Sequence, residues 1–293
     1  MDQAVFRNRW LPYLLVLPQV AVTVVFFFWP AFNSLKLSVF RASPFGDRLI
    51  FVGLRNFQNL ITSGEYQRSI VTTLIFSLGV TLLGLACSLA VAVLANQGFR
   101  ALGLYRAALL WPYGVAPPVA GIIWLFLFHP SYGVLPYLLS FVSDVELNWL
   151  LDGRVALVLV VVAATWAHLG YNIAFFIAGL QLIPSSLLEA ASVDGASAWR
   201  RFWAITFPLL SPVTFFLLIM NLTYSLFETF GVIQAVTRGG PGGATEILVF
   251  KAYKDGIISL NLGSSAAQSV ILMALAILLT ALQFRFTERR VAY

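Results

Sequence analysis

The sequence predicts an all-α polytopic membrane protein, and three observations carry the prediction. Hydrophobic residues make up 60% of the 293 residues and charged residues only 10%, with a mean hydropathy of +0.87. Soluble domains carry about a quarter charged residues, and a water-soluble fold of this length could not bury so much apolar surface. Six segments are apolar over roughly the 20 residues that a helix needs to cross a bilayer.

Those segments fall at about 11–33, 70–95, 107–128, 155–180, 209–233 and 264–284. The first follows Arg7 and Arg9 but is too long for a signal-peptide core and precedes no A-x-A site, so it reads as a retained span. The third contains Pro112, Pro117 and Pro118 and reads as a kinked span inside a bundle, where neighbours satisfy the freed carbonyls. All 293 residues read as one transmembrane domain. Cys87, in an apolar run, cannot form an intrachain disulfide and reads as a small packing residue.

The net charge of +6 does not indicate nucleic acid, because the basic residues flank apolar runs rather than lining one face. With the N-terminus inside, Arg7, Arg9, Arg100, Arg106, Arg200, Arg201, Arg285, Arg289 and Arg290 face one side. Lys36, Arg41, Arg48, Arg55, Arg68, Arg154, Arg238, Lys251 and Lys254 face the other, a tie. The first set is packed closer to the spans, which favours cytoplasmic N- and C-termini.

Between spans four and five lies EAASVDGASAWRRFWAITFP, residues 189–208. Pro184 with Ser185 and Ser186 opens a helix, and Ser186 with Glu189 fits a capping box. Gly195 suits the left-handed turn at the helix end. Asp194 is misplaced for that helix's dipole and suits the start of the next, where Ser197 caps. Trp199, Phe202 and Trp203 then form one aromatic face, and Pro208 starts span five. Residues 184–208 therefore read as helix, turn, helix, either a connector in the membrane interface or a docking element.

Glu189-Ala190-Ala191, Gly195 after three residues and Ile205-Thr206-Phe207-Pro208 after nine more resemble the E-A-A-x3-G-x9-I-x-L-P signature of permease subunits of binding-protein-dependent ABC importers. Phe207 stands where leucine is usual. FVGLRNF at 51–57 and TRGGPGGATE at 237–246 resemble outer loops of the carbohydrate-type permeases. WLPYLLVLPQ at 10–19, LLWPYGVAPPVAGIIWLFLFHP at 109–130 and SSAAQS at 264–269 resemble the importers of sn-glycerol-3-phosphate most.

The resemblance implies an inner-membrane permease that pairs with a second permease around the solute path. It implies an ATPase dimer beneath and an extracytoplasmic solute-binding protein above. Glu189, Ala190, Ala191, Asp194 and Gly195 would form the joint to the ATPase, and ATP and Mg would be bound by those partners. The implied cargo is sn-glycerol-3-phosphate, with a neutral sugar or polyol as the alternative.

The residues themselves offer no catalyst. There is no Gly-Lys dipeptide and hence no phosphate-binding loop of the G-x-x-x-x-G-K-[ST] kind, and the glycines at 239–243 read as a mobile outer loop. His129 and His168 lack metal-ligand spacing. Polar residues at membrane depth mark a pathway by default. Thr165, His168 and Asn172 share one face of span four, and Asn221, Tyr224 and Glu228 share one face of span five, at i, i+3, i+7. With Gln268 they are the pathway candidates, on a wet surface between subunits. For the neutral residues, interhelical hydrogen bonding explains the pattern equally well. Glu228 lines a water-filled cavity or sits protonated in a helix contact. A secondary transporter driven by an ion gradient is the rival class, although no clear internal repeat is visible.

Overall fold

The computed structural model describes residues 10–42, 48–96, 107–141 and 148–288. Arg7, Arg9, Arg100, Arg106, Arg289 and Arg290 lie outside them. Among the described residues five helices are long and apolar enough to cross a membrane: Leu11–Ser38, Gly64–Ala95, Gly153–Gln181, Ala198–Phe227 and Leu262–Arg285. Ala107–Gly114 and Pro117–Leu127 form a bent pair that makes six if counted as one span. The protein is all-α and polytopic, with one small hairpin in addition.

The chain divides into two compact units. Met1–Ser63 and Ala252–Met273 make the first. Its long helix, Leu11–Ser38, buries none of its apolar window. Strand Phe40–Ala42 pairs antiparallel with Leu49–Phe51, Phe40 opposite Phe51. The Asn56 side chain of FVGLRNF donates to the carbonyls of Ser38 at 2.8 Å and Phe40 at 2.9 Å, tying the helix end to the hairpin.

Gly64–Lys251 and Ala274–Tyr293 make the second unit. Phe76 and Val80 of the second span, Leu159, Val160, Ala163 and Ala164 of the fourth, and Val232 and Ile233 beyond the fifth share one core. Ile173, Phe176, Leu210 and Leu217 fill another between the fourth and fifth spans. Asp152 caps the fourth span, accepting from the backbone N–H of Arg154 at 2.7 Å, so that span starts two residues earlier than hydropathy suggests.

Prolines shape the helices in two ways. Pro117 and Pro118 do not kink a continuous span. Ala116 is extended (φ −60°, ψ 138°) and the two prolines occupy the first turn of a new helix, 108° away from the preceding one. The residue before a proline is driven from the α region, and proline is well suited to the first turn, so the pair restarts the helix. Elsewhere the chain widens instead. The π turns at Val24–Phe28 and Phe202–Thr206 sit immediately upstream of Pro30 and Pro208. Proline has no N–H and crowds the carbonyl four residues back, and one wide turn relieves both.

Three expectations change. Cys87 is exposed on this chain rather than packed within it. Lys251, counted as an outer loop charge, is 6% exposed within a helix, its Nζ 3.1 Å from Glu65 Oε2 and 3.7 Å from Glu246 Oε1. TRGGPGGATE is a built loop rather than a loose one. Thr245 is buried, its hydroxyl 2.7 Å from that of Thr237 and donating to the Gly240 carbonyl at 2.9 Å, and Gly239 (φ 79°) lies against Phe250.

Candidate functional site: a polar seam and an exposed loop

The fourth and fifth spans run antiparallel, so their polar residues pair in opposite order. Asn172 Nδ2 donates to Asn221 Oδ1 at 2.9 Å, and Asn221 Nδ2 donates back to Asn172 Oδ1 at 2.8 Å. Asn221 also donates to the Leu217 carbonyl at 2.7 Å. Both amides are buried inside the chain, at 0% and 1% exposure. The second span closes over them at Gly84, where a Cβ would stand 3.2 Å from Asn221 Oδ1 and 3.3 Å from Asn172 Nδ2. In this structure the pair joins two helices.

One turn away the seam becomes aromatic. His168 stacks on Tyr224 with centroids 4.0 Å apart and planes at 12°, and on Tyr171 at 4.8 Å. The Tyr224 hydroxyl donates to the Ala164 carbonyl at 3.1 Å. Tyr113, on the turn before the proline break, meets both His168 and Tyr171. His168 Nε2 and Thr165 Oγ1 are buried without a hydrogen-bond partner among the described residues. Such groups are costly to leave unpaired.

Glu228 is exposed and follows the last residue of the fifth span, whose backbone continues only to Phe227. The apolar window 209–233 therefore covers a break at Glu228 and Thr229, after which Phe230–Val236 form a second helix. Gln268 belongs to the other unit, where its amide donates to Asp255 Oδ2 at 2.6 Å and to Ser264 Oγ at 3.3 Å. Thr165, His168, Asn172, Asn221 and Tyr224 thus come together. Tyr171 and Tyr113 join them without having been singled out. Tyr171 was legible as the residue one turn from His168, whereas Tyr113 depends on a chain break that hydropathy does not show.

The loop after the fourth span is helical from Ser185 to Val193, with Pro184 as N-cap. The expected capping box is absent: Ser186 is already inside the helix, and Glu189 lies further in and is exposed. Gly195 has φ 79°, its N–H bonds the Ser192 carbonyl at 3.1 Å, and the Ala196 N–H bonds the Ala191 carbonyl at 2.9 Å. These two bonds form a Schellman turn, which the glycine makes possible. Ser197 caps the following helix, its hydroxyl accepting from the Arg200 N–H at 3.4 Å. That helix is not a separate element. It runs from Ala198 through the π turn and past Pro208 into the fifth span, so Pro208 does not start it. Glu189, Ala190, Asp194 and Gly195 are exposed, and Ala191 is half-buried. Val193 is 88% exposed and Trp199 73%.

A multi-pass helical membrane protein with a polar seam and an exposed helical loop beside it is the class that this geometry defines. Residues 115–293 match the family described as binding-protein-dependent transport system inner membrane component. The chain is 53% identical, over the full length of both chains, to the sn-glycerol-3-phosphate transport system permease protein UgpA of Rhizobium meliloti (strain 1021). It is 48% identical over 292 residues to the protein of that name from Pectobacterium atrosepticum, covering 100% of this chain and 99% of the other. The fold matches a chain of a bacterial ABC transporter involved in the import of the acidic polysaccharide alginate. The TM-score is 0.80, with 21% identity and 97% and 96% of the two chains covered. A second structure of the bacterial alginate ABC transporter, in complex with an alginate pentasaccharide-bound periplasmic protein, matches with a TM-score of 0.80 over 96% of this chain and 94% of that one. The chain belongs to the family of inner-membrane components of binding-protein-dependent transport systems, and it is a permease subunit of an ABC importer.

Proposed function

We propose that this permease carries sn-glycerol-3-phosphate. The carrying observation is the end-to-end similarity to permeases of that name at about half identity. In this reading the chain is one six-span transmembrane domain with both termini cytoplasmic. It pairs with a second permease around the solute path, receives solute from an extracytoplasmic binding protein and draws on ATP and Mg held by a separate ATPase pair. Residues 184–208 are the coupling loop. Their support is exposure: Glu189, Ala190, Asp194 and Gly195 face outward, beside apolar Val193, with no packing among the described residues to explain them. Solute passes the His168, Tyr171 and Tyr224 cluster, where two buried polar atoms lack partners.

A neutral sugar or polyol is the second reading. Stacked rings suit it, and among the described residues no lysine or arginine lies at the centre of a span, where an anionic phosphate would favour one. Reconstitution of the complete transporter in proteoliposomes separates the two. Labelled sn-glycerol-3-phosphate is expected to enter only with ATP and binding protein, and maltose not to. Preferential uptake of a neutral sugar overturns the substrate assignment, and uptake driven by an ion gradient without ATP overturns the coupling scheme. Glu228→Gln is expected to change the uptake rate while leaving assembly with the ATPases intact. Unchanged uptake kinetics over a broad pH range would remove the carboxylate from the pathway.

A further inference from the structure

Where the second, fourth and fifth spans meet the loop, a groove of ≈ 340 Å³ opens. Its walls include Val93, Leu180, Ile183 and Phe202, and its polar edge includes Asn96 and Arg201. Arg201 is half-buried, and its one side-chain bond is a long one, from Nη1 to the Leu188 carbonyl at 3.4 Å. Among the described residues no carboxylate pairs with it, and the groove's lining includes no acidic residue. A partly desolvated guanidinium over a hydrocarbon slot is incomplete by itself. It needs an anion that brings its own apolar body.

We propose that this groove binds an anionic phospholipid, with the phosphate on Arg201 and an acyl chain along Leu180 and Phe202. Three features select a lipid. The groove lies at the ends of spanning helices, so it is level with the headgroups. Trp199 and Trp203, exposed on the same helix, mark that level, as tryptophan does at membrane interfaces. At ≈ 340 Å³ the slot has room for part of one acyl chain, which suits a lipid whose remaining bulk stays in the bilayer. Arginine's planar fork matches phosphate, and basic pockets between spans recruit anionic headgroups. The site is lined by Leu188 and Ala198 from the two helices of the loop and by Phe202 and Thr206 of the π turn, so a lipid here would brace the root of the loop. It is independent of which solute is carried.

The test uses the intact transporter, delipidated and then titrated with dioleoyl phosphatidylglycerol or dioleoyl phosphatidylcholine, with bound lipid counted by native mass spectrometry. The parent is expected to retain one phosphatidylglycerol that Arg201→Gln binds at least about tenfold more weakly, in line with loss of a charged hydrogen bond. Arg200→Gln, at an exposed neighbour, is expected to leave that binding unchanged, and phosphatidylcholine is expected not to distinguish the variants. Equal retention by the parent and Arg201→Gln, or equal preference for the two lipids, overturns the proposal. A photoreactive side chain at Ile183, in a protein that keeps Arg201, gives an answer even if Arg201→Gln fails to assemble. Capture of phosphatidylglycerol supports the site, and capture of a partner polypeptide or of no lipid refutes it.

Discussion

The fourth and fifth spans meet twice, and the two meetings are built on opposite rules. At Asn172 and Asn221 they are zipped inside the chain, with the amides reciprocally bonded and Gly84 pressed against them. At the loop that joins them they open outward, and nothing lies within 4 Å of where a Gly195 Cβ would be. The clamp is specified by what it touches. The turn is specified by backbone conformation alone, since its glycine is required by φ and not by space. A glycine that meets nothing among the described residues, on a turn beside the exposed apolar Val193, is what the proposed docking role requires.

The largest expected effect lies on the open side. Gly195→Val puts a β-branched residue at φ 79°, at a cost of about 1–3 kcal/mol in backbone strain. The bundle should still insert and pair, while ATP-coupled uptake falls severalfold or ATPase attachment weakens. Gly195→Asn should be milder. Normal coupling in Gly195→Val, measured as solute transported per ATP, would erase the distinction between the two meetings.

On the closed side, Asn172→Leu leaves Asn221 buried without its partner and should lower thermal stability by about 1–3 kcal/mol, with transport lost only as folding is lost. The Asn172→Leu/Asn221→Leu pair should cost less than the two single changes together, with a coupling of about 0.6 kcal/mol typical of such bonds in membranes. Additivity in that cycle would show that the clamp does not act as a unit. Gly84→Ala should fall at the low end, about 1 kcal/mol, because its new methyl needs the amides to give by only a few tenths of an ångström. The smallest effect is expected for Val193→Ser. At 88% exposure it should leave the isolated permease within about 0.5 kcal/mol of the parent, yet weaken co-purification of the ATPase. Unaltered ATPase retention would separate that surface from docking.

The sequence revealed most of this where a local rule operates. Long apolar runs marked the helices, the i, i+3, i+7 spacing put Asn172 and Asn221 on the right faces, and Gly195 and Ser197 were legible as turn and cap. It misled where the outcome depends on the rest of the chain. Hydropathy cannot tell a proline that bends a helix from a pair that restarts one, so the third segment read as a kink. It read one continuous helix across Glu228, because Phe230, Val232 and Ile233 are as apolar as the helix before the break. Spacing showed which amides share a face but not that they would bond each other. Lys251 looked like a loop charge because its partner Glu65 lies 186 positions away in the chain.

The continuity of the fifth span with the loop helix has a mechanical consequence. Thirty residues from Ala198 to Phe227 make a rod about 45 Å long at 1.5 Å per residue. Asn221 holds it off-centre, with about 34 Å on the loop side and about 9 Å on the Glu228 side. Were the rod to turn at that clamp, a swing at Ala198 would be reduced roughly fourfold by the time it reached Phe227, with the force raised in the same ratio. The π turn at Phe202–Thr206 sits in the long arm, where some give absorbs part of the throw before it reaches the fulcrum. A push at the loop would then arrive beside the His168 and Tyr224 cluster as a short, strong one.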